Sequence, residues 1–352
     1  MLMPQTFKSL SDMLNHGYDT VIDVRTPAEF ALDHVPGAIN LPALSNEQRA
    51  EVGTLYKQIS PFDARKLGAS LVARNVADHV AGPLAAYDGS WQPLVYCWRG
   101  GQRSGAFNII LQQIGWRSDT VDGGYMQWRR LVKETLYDTP IPHQLVLLDG
   151  NTGTAKTAIL ARLALMDVQI IDLEGLAGHR GSSLGAMAGG QPDQKGFETA
   201  LAVALNACDP ARPIVVEAES AKIGQINLPP QMWSAMVKAP RLMMDAPIGA
   251  RAAFLETAYA DMIADPSELA LRFEPLRPIR GHAIVDGWLS QLHARDYRGL
   301  AQALMEQHYD AAYAKSRGAG ASGETAVIAV DRLDVVGQDA AARQIIQAMT
   351  SL

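Results

Sequence analysis

Two short stretches of this chain combine residue types that can do chemistry. The first is Leu94-Val95-Tyr96-Cys97-Trp98-Arg99-Gly100-Gly101-Gln102-Arg103-Ser104. A thiol attacks as its thiolate. A Gly-rich turn opening a helix points backbone N–H groups inward, where they and the guanidinium groups of Arg99 and Arg103 favour that anion and hold an oxyanion beside it. Cys97, Arg99 and Arg103 are the candidate catalytic set. A lone Cys is more commonly a small buried hydrophobe, and Cys208, which lacks such neighbours, reads as structural.

The second stretch is Leu145-Val146-Leu147-Leu148-Asp149-Gly150-Asn151-Thr152-Gly153-Thr154-Ala155-Lys156-Thr157. An apolar strand runs into a Gly/Thr loop and then a helical pattern, the arrangement of a phosphate-binding loop. Gly150 and Gly153 let backbone N–H groups turn onto phosphate oxygens, Lys156 adds a point charge, and Thr157 is the expected Mg²⁺ ligand. Asn151, Thr152 and Thr154 complete the cradle. Ala155 stands where the pattern G-x-x-x-x-G-K-[ST] has Gly. Ala resists left-handed backbone, so a local alteration of the loop is expected there.

The elements that must position these groups follow from periodicity. Thr20-Val21-Ile22-Asp23-Val24-Arg25 reads as a buried parallel strand closing on a charged pair, and Leu94–Tyr96 as an apolar strand. Thr26-Pro27 starts a helix, and residues 64–81 carry an amphipathic helical pattern ended by Gly82-Pro83. In the second half, strands at 145–149, 168–172 and 213–216 alternate with helices. Strands alternating with helices predict α/β architecture. Thr139-Pro140-Ile141-Pro142-His143 is a Pro-punctuated linker, which divides the chain into 1–138 and 139–352. Glu217 and Glu219 lie at a strand end where an acid would hold Mg²⁺ or activate a nucleophile. Lys222 would add charge to the same site, and Arg251 would reach a phosphate if it faces the cleft. The polar, Gly-rich segment 178–197, containing Arg180, Ser182 and Ser183, reads as a substrate-covering loop. From Arg251 onward the pattern is mostly helical. Its cations and rings, among them Arg272, Arg277, Arg280, Trp288, Arg298, His308, Tyr309, Tyr313, Lys315 and Arg317, suit a single-stranded RNA loop.

The 352 residues are 48% hydrophobic and 19% charged, with a net charge of −6 and two cysteines. That balance fits globular domains and argues against wholesale nucleic-acid binding, while leaving room for a local basic surface. No apolar run is long enough for a membrane span. Two cysteines and no leader-like start predict a reduced, cytoplasmic protein.

Over about residues 5–135 the chain resembles the rhodanese domain. The likeness rests on Asp23-Val24-Arg25, Glu29-Phe30, His34-Val35-Pro36-Gly37-Ala38-Ile39-Asn40 and the Cys-headed loop. Arg103 lies six residues after Cys97, one more than in the usual sulfur-transferring loop and the spacing of rhodanese-fold phosphatases. Taken with Gly123-Gly124-Tyr125, the Gly150–Thr157 loop, His179–Gly185, Glu217-Ala218-Glu219-Ser220 and His308-Tyr309-Asp310, the whole chain resembles the tRNA 2-selenouridine synthase family.

The resemblance implies a rhodanese-like open sheet joined to a nucleotide-kinase-like P-loop domain with a helical C-terminal region. It implies a transferase acting on wobble 2-thiouridine in the tRNA anticodon loop. The sulfur is alkylated by geranyl diphosphate, and selenium from selenophosphate then replaces the geranylthio group. Gly150, Asn151, Thr152, Gly153, Thr154, Ala155, Lys156, Thr157, Arg180, Ser182, Ser183, Glu217 and Glu219 would hold the pyrophosphate, with Mg²⁺ on Thr157. A selenophosphate-producing or sulfur-relay partner is also implied. The competing reading is a fused Cys-x₅-Arg phosphatase and P-loop small-molecule kinase. A non-catalytic nucleotide sensor is a further rival.

Overall fold

The computed structural model describes residues 4–182, 184–187, 189–311 and 325–352. Ser183, Tyr313, Lys315 and Arg317 lie outside the described residues. The chain forms two compact units, one of residues 1–139 with 192–206 and one of residues 140–191 with 207–352.

In the first unit, four parallel strands run in the order β2-β1-β3-β4, with β1 at Thr20–Asp23, β2 at Ile39–Asn40, β3 at Pro93–Tyr96 and β4 at Asp119–Thr120. β1 pairs with β3 from Thr20↔Pro93 to Asp23↔Tyr96, so both strands end at one edge. Ile22, Val24, Val72, Val76, Val95, Phe107, Leu111 and Trp116 pack between the sheet and its helices. The helix Pro27–Leu32 begins with Pro and a complete capping box between Thr26 and Glu29, which satisfies N–H groups left open by the first turn. The amphipathic pattern at 64–81 belongs to a helix that starts three residues earlier, Pro61–Ala81, capped by Ser60.

The helix Gln194–Ala207 groups with this unit although it follows the P-loop in sequence. Its Glu198 carboxylate pairs with Arg129 and accepts from the Tyr137 hydroxyl at 2.7 Å. Thr199 accepts from Trp128 Nε1 at 3.2 Å. The last turn of the segment expected as a covering loop is thus helical.

The second unit holds five parallel strands in the order β11-β10-β5-β7-β6: β5 Leu145–Gly150, β6 Gln169–Ile171, β7 Ile214–Glu217, β10 Arg241–Asp245 and β11 Thr325–Ala329. A small antiparallel pair, β8 Lys222–Ile223 and β9 Ile226–Asn227, stands apart. β5 is central and buried at all six positions. Val146, Leu148, Ile159, Leu163, Val215, Leu242, Met244 and Ile345 make the core around it. The sequence order reverses beside β5, and open parallel sheets place ligands outside the strand ends at such a point. A separate helical cluster packs Leu269, Phe273, Leu276, Val285, Trp288, Leu292 and Leu300 together. The chain is therefore α/β, with a rhodanese-like unit and a parallel-sheet P-loop unit that carries helices toward its C-terminus. Among the described residues no helix is long and apolar enough to cross a membrane.

Candidate functional site

In the first unit, β3 delivers Cys97 to the sheet edge and the helix Gln102–Ile114 begins five residues later. Cys97 is buried, 4% exposed. Ser104 Oγ donates to its Sγ at 3.2 Å. Burial alone would push the thiol up, but the Ser104 hydroxyl and the backbone N–H groups of Ser104, Gly101 and Arg99 outweigh it and hold the thiol below its ordinary value. The loop therefore stabilises a thiolate, as its composition predicts.

The floor of this loop is the Gly123-Gly124-Tyr125 turn. Tyr125 N–H donates to Cys97 O at 2.8 Å and Met126 N–H to Trp98 O at 3.0 Å. Gly124 has φ of +56°, and a Cβ there would stand 2.3 Å from Cys97 O; no other residue fits. Beneath lies a buried polar network. Arg25 pairs with Asp23 at 2.6 Å, and its guanidinium stacks 3.8 Å from the Tyr125 ring centre. Tyr96 OH donates to Asp23 at 2.8 Å, which gives Tyr96 a bracing role.

The two arginines are placed differently. The Arg99 residue is exposed, and its side chain has no hydrogen-bond partner among the described residues. Arg103 Nη1 is engaged by Glu29 Oε2 at 3.0 Å. Arg103 is therefore oriented by an acid and offers only its remaining N–H groups to an anion.

In the second unit, the Gly150–Thr157 loop wraps from β5 into the helix Lys156–Leu165. Gly150 has φ of +155°, and a Cβ would meet Thr154 Oγ1 at 2.5 Å. Ala155 adopts φ of +62°, so the loop keeps the left-handed turn instead of altering it. The strain, about 1–2 kcal/mol for an L-residue, is tolerated where the Ala155 methyl is buried in the core of the unit. Lys156 Nζ donates to Gly150 O at 3.1 Å. Thr154 Oγ1 donates to Asn151 O at 2.8 Å, so that hydroxyl shapes the loop.

Residues Thr152 to Thr157 line a cleft of about 270 Å³ with Glu174, Arg180, Ser182 and Tyr259. Arg180 is held by Asp261 at 2.8 Å and lies over the Tyr259 ring at 4.8 Å. Its buried Nη1 has no hydrogen-bond partner among the described residues, and neither does Thr152 Oγ1. Buried donors without acceptors are costly, and both residues line this cleft. Asn151 lines a separate polar recess with Asp245 and Arg251.

Three carboxyl groups meet beside Thr157. Its hydroxyl lies 2.8 Å from Glu217 Oε1 and 3.2 Å from Glu174 Oε2. Glu174 N–H donates to Glu217 Oε2 at 3.1 Å. Burial, reinforced by Glu219, pushes Glu174 up to about 8. Burial, reinforced by Glu174 and Asp172, pushes Glu217 up to about 8. Glu219 is raised as well, again first by burial. Among the described residues no three acidic, His or Cys side chains form a ready-made metal cage. Mg²⁺ commonly needs only one or two protein oxygens besides phosphate and water, and Thr157 with these raised carboxyl groups fits that role. Glu174 is the member that sequence reasoning missed; its signal was Asp172-Leu173-Glu174 closing the β6 run.

Several other expectations are corrected. Arg251 does not reach into the cleft: it is buried, donating Nε to Thr152 O at 2.9 Å and pairing with Asp310 at 2.7 and 2.9 Å. Lys222 is exposed on β8, away from the lining of the cleft. Trp288 and Tyr309 are buried and do not present stackable faces. Arg277 pairs with Glu274 and Asp286, Arg272 with Glu268, Arg298 with Glu256, and Arg280 with His308. The interleaving of rings and cations there mainly builds a helical core and its ion-paired surface.

The comparisons agree with both halves. Residues 6–131 match the Rhodanese-like domain family, and residues 143–270 match the family described as tRNA 2-selenouridine synthase AAA domain. The chain is 37% identical over 242 residues to the tRNA 2-selenouridine synthase of Aeromonas salmonicida, covering 68% of this chain and 64% of that protein. It is 35% identical to that of Alcanivorax borkumensis, covering 72% and 69%, and 31% identical to that of Nitrosomonas europaea, covering 82% and 76%. The match to the Aeromonas protein thus spans slightly under two thirds of its length. With both domains matched in order and two relatives covered beyond two thirds, the chain belongs to the tRNA 2-selenouridine synthase family.

Proposed function

We propose that the protein is a transferase that converts wobble 2-thiouridine in a tRNA anticodon loop to 2-selenouridine in two steps. In the first, the thiocarbonyl sulfur attacks C1 of geranyl diphosphate, the allylic C–O bond breaks, pyrophosphate leaves, and the uracil N3 proton is lost. The observation that carries this reading is the cleft of the second unit, where Arg180 Nη1 and Thr152 Oγ1 are buried donors without acceptors among the described residues, in a lining they share with Lys156. These groups, with the loop N–H donors, stabilise charge growing on the leaving pyrophosphate. Mg²⁺ on Thr157 and the neighbouring carboxyl groups would neutralise further charge there.

In the second step, selenium of selenophosphate adds at C2 of the base and the geranylthiolate leaves, taking up a proton. Water then cleaves the Se–P bond to release phosphate. The Cys97 loop supports this step by its anion-stabilising N–H groups and low thiol, with Arg99 and the unengaged N–H groups of Arg103 on the phosphate portion. The test is mass spectrometry of nucleosides after thiolated tRNA is incubated with geranyl diphosphate, selenophosphate and Mg²⁺. The expected result is a geranylated and then a selenated base, with Lys156→Ala blocking the first and Cys97→Ala leaving the geranylated base to accumulate. Unchanged nucleosides with folded wild-type protein would overturn the proposal.

A further inference from the structure

Beside the phosphate cleft lies a second cavity of about 80 Å³, walled almost wholly by carbon. Leu184, Met262, Leu269, Phe273, Leu300 and Met305 are among its lining residues. Thr152, Leu255 and Tyr259 line both spaces, so the cavity adjoins the phosphate loop through a shared wall. Phe273 and Met305 have no solvent exposure, and both line the cavity without lining the cleft.

Protein interiors pack densely, and an apolar void forfeits contacts that a filled core would have. A nucleotide would bring a polar base and ribose, which this wall cannot hydrogen-bond. A phosphate ester with no hydrocarbon chain would leave it empty. We infer that this cavity receives the distal end of the substrate's hydrocarbon chain, and that Met305 and Phe273 set the longest chain accepted. The inference rests on the proposed diphosphate site and adds to it the residues that select chain length. A cavity of roughly 150 Å³ admits a six-carbon ring; the space here, about half of that, admits about three carbons, the size of a branched chain end, and the rest of the chain lies outside it.

The test is calorimetric binding of inorganic pyrophosphate, geranyl diphosphate and farnesyl diphosphate to the full chain with Mg²⁺. Two variants are compared: Ala301→Phe, which narrows the cavity, and Met305→Ala, which deepens it. In the wild type, geranyl diphosphate is expected to bind at least about tenfold more tightly than pyrophosphate, since each buried CH₂ adds to affinity. Ala301→Phe should erase that advantage while pyrophosphate binding stays within about twofold, which also shows that the variant is folded. Met305→Ala should improve farnesyl relative to geranyl diphosphate by about tenfold or more. If pyrophosphate binds but the chain adds nothing, or neither variant changes chain preference, the cavity assignment is overturned while the diphosphate site stands. If pyrophosphate itself fails to bind the wild type, the diphosphate site is overturned and the inference falls with it.

Discussion

Replacing Glu217 by Gln tests the carboxyl cluster beside Thr157. Glu217 is fully buried, and burial with the charges of Glu174 and Asp172 pushes it up to about 8 from an ordinary 4.5. Between those two values the folded protein holds a proton that the unfolded chain releases. Its stabilising contribution is therefore complete below about pH 4.5 and is lost as pH rises toward 8. From pH 5 to pH 7.5 one such group removes about 3 kcal/mol, at roughly 1.4 kcal/mol per unit. For a unit of this size that lowers the melting temperature by about 6–12 °C. The substituted amide cannot titrate, and it stands in for the protonated acid: its oxygen accepts from Glu174 N–H and its NH₂ donates to the Thr157 hydroxyl. Glu217→Gln should melt close to the wild type at pH 5, show a shallower decline, and stand above the wild type near pH 8 by about 6–12 °C. Mg²⁺ at pH 8 should raise the wild-type melting temperature more than that of the variant. Thermal melts at half-unit pH steps read all of this. Parallel pH profiles for the two proteins would refute the assignment of a raised, buried Glu217.

Ala155→Gly should leave stability within about 1 kcal/mol in urea titrations: relief of roughly 1–2 kcal/mol of left-handed strain is offset by the lost burial of a methyl group, about 0.8 kcal/mol, and by the freer unfolded chain, about 0.4–1 kcal/mol. Ala155→Val, β-branched at φ of +62°, should be far less stable in the same titration. Ser104→Ala removes the hydroxyl on Cys97 Sγ; the thiol should rise back toward its ordinary value, and iodoacetamide should modify Cys97 measurably more slowly at pH 7. Asp310→Ala strands the buried Arg251 guanidinium at a cost of about 3–5 kcal/mol, visible as a lower melting temperature, and should weaken pyrophosphate binding by loosening Thr152.

The Cys97 and Gly150–Thr157 loops were legible because each is a local device: Gly, backbone N–H and the helix start are consecutive in sequence, and the fold only has to put a strand before them. Glu174 was not legible because its partners arrive from the end of a different strand. That β6 and β7 lie side by side, pairing Ile171 with Val216, is a property of the sheet that no spacing records. The run of cations and rings is ambiguous in sequence for a different reason. A helical cluster needs Phe273 and Trp288 inside and charged residues outside, and that alternation mimics a nucleic-acid surface. Arg251 likewise stands where a phosphate ligand is expected, but Asp310, 59 residues away, claims it.

The helix Gln194–Ala207 bears on where the chain can be divided. A protein ending at Thr139 would keep the Cys97 loop, yet Arg129 would lose Glu198, and Trp128 and Tyr137 would lose their acceptors. The complementary piece would carry a stray helix, with Phe197 and Leu201 torn from burial. A simple split at the Pro-rich linker thus damages the rhodanese half first.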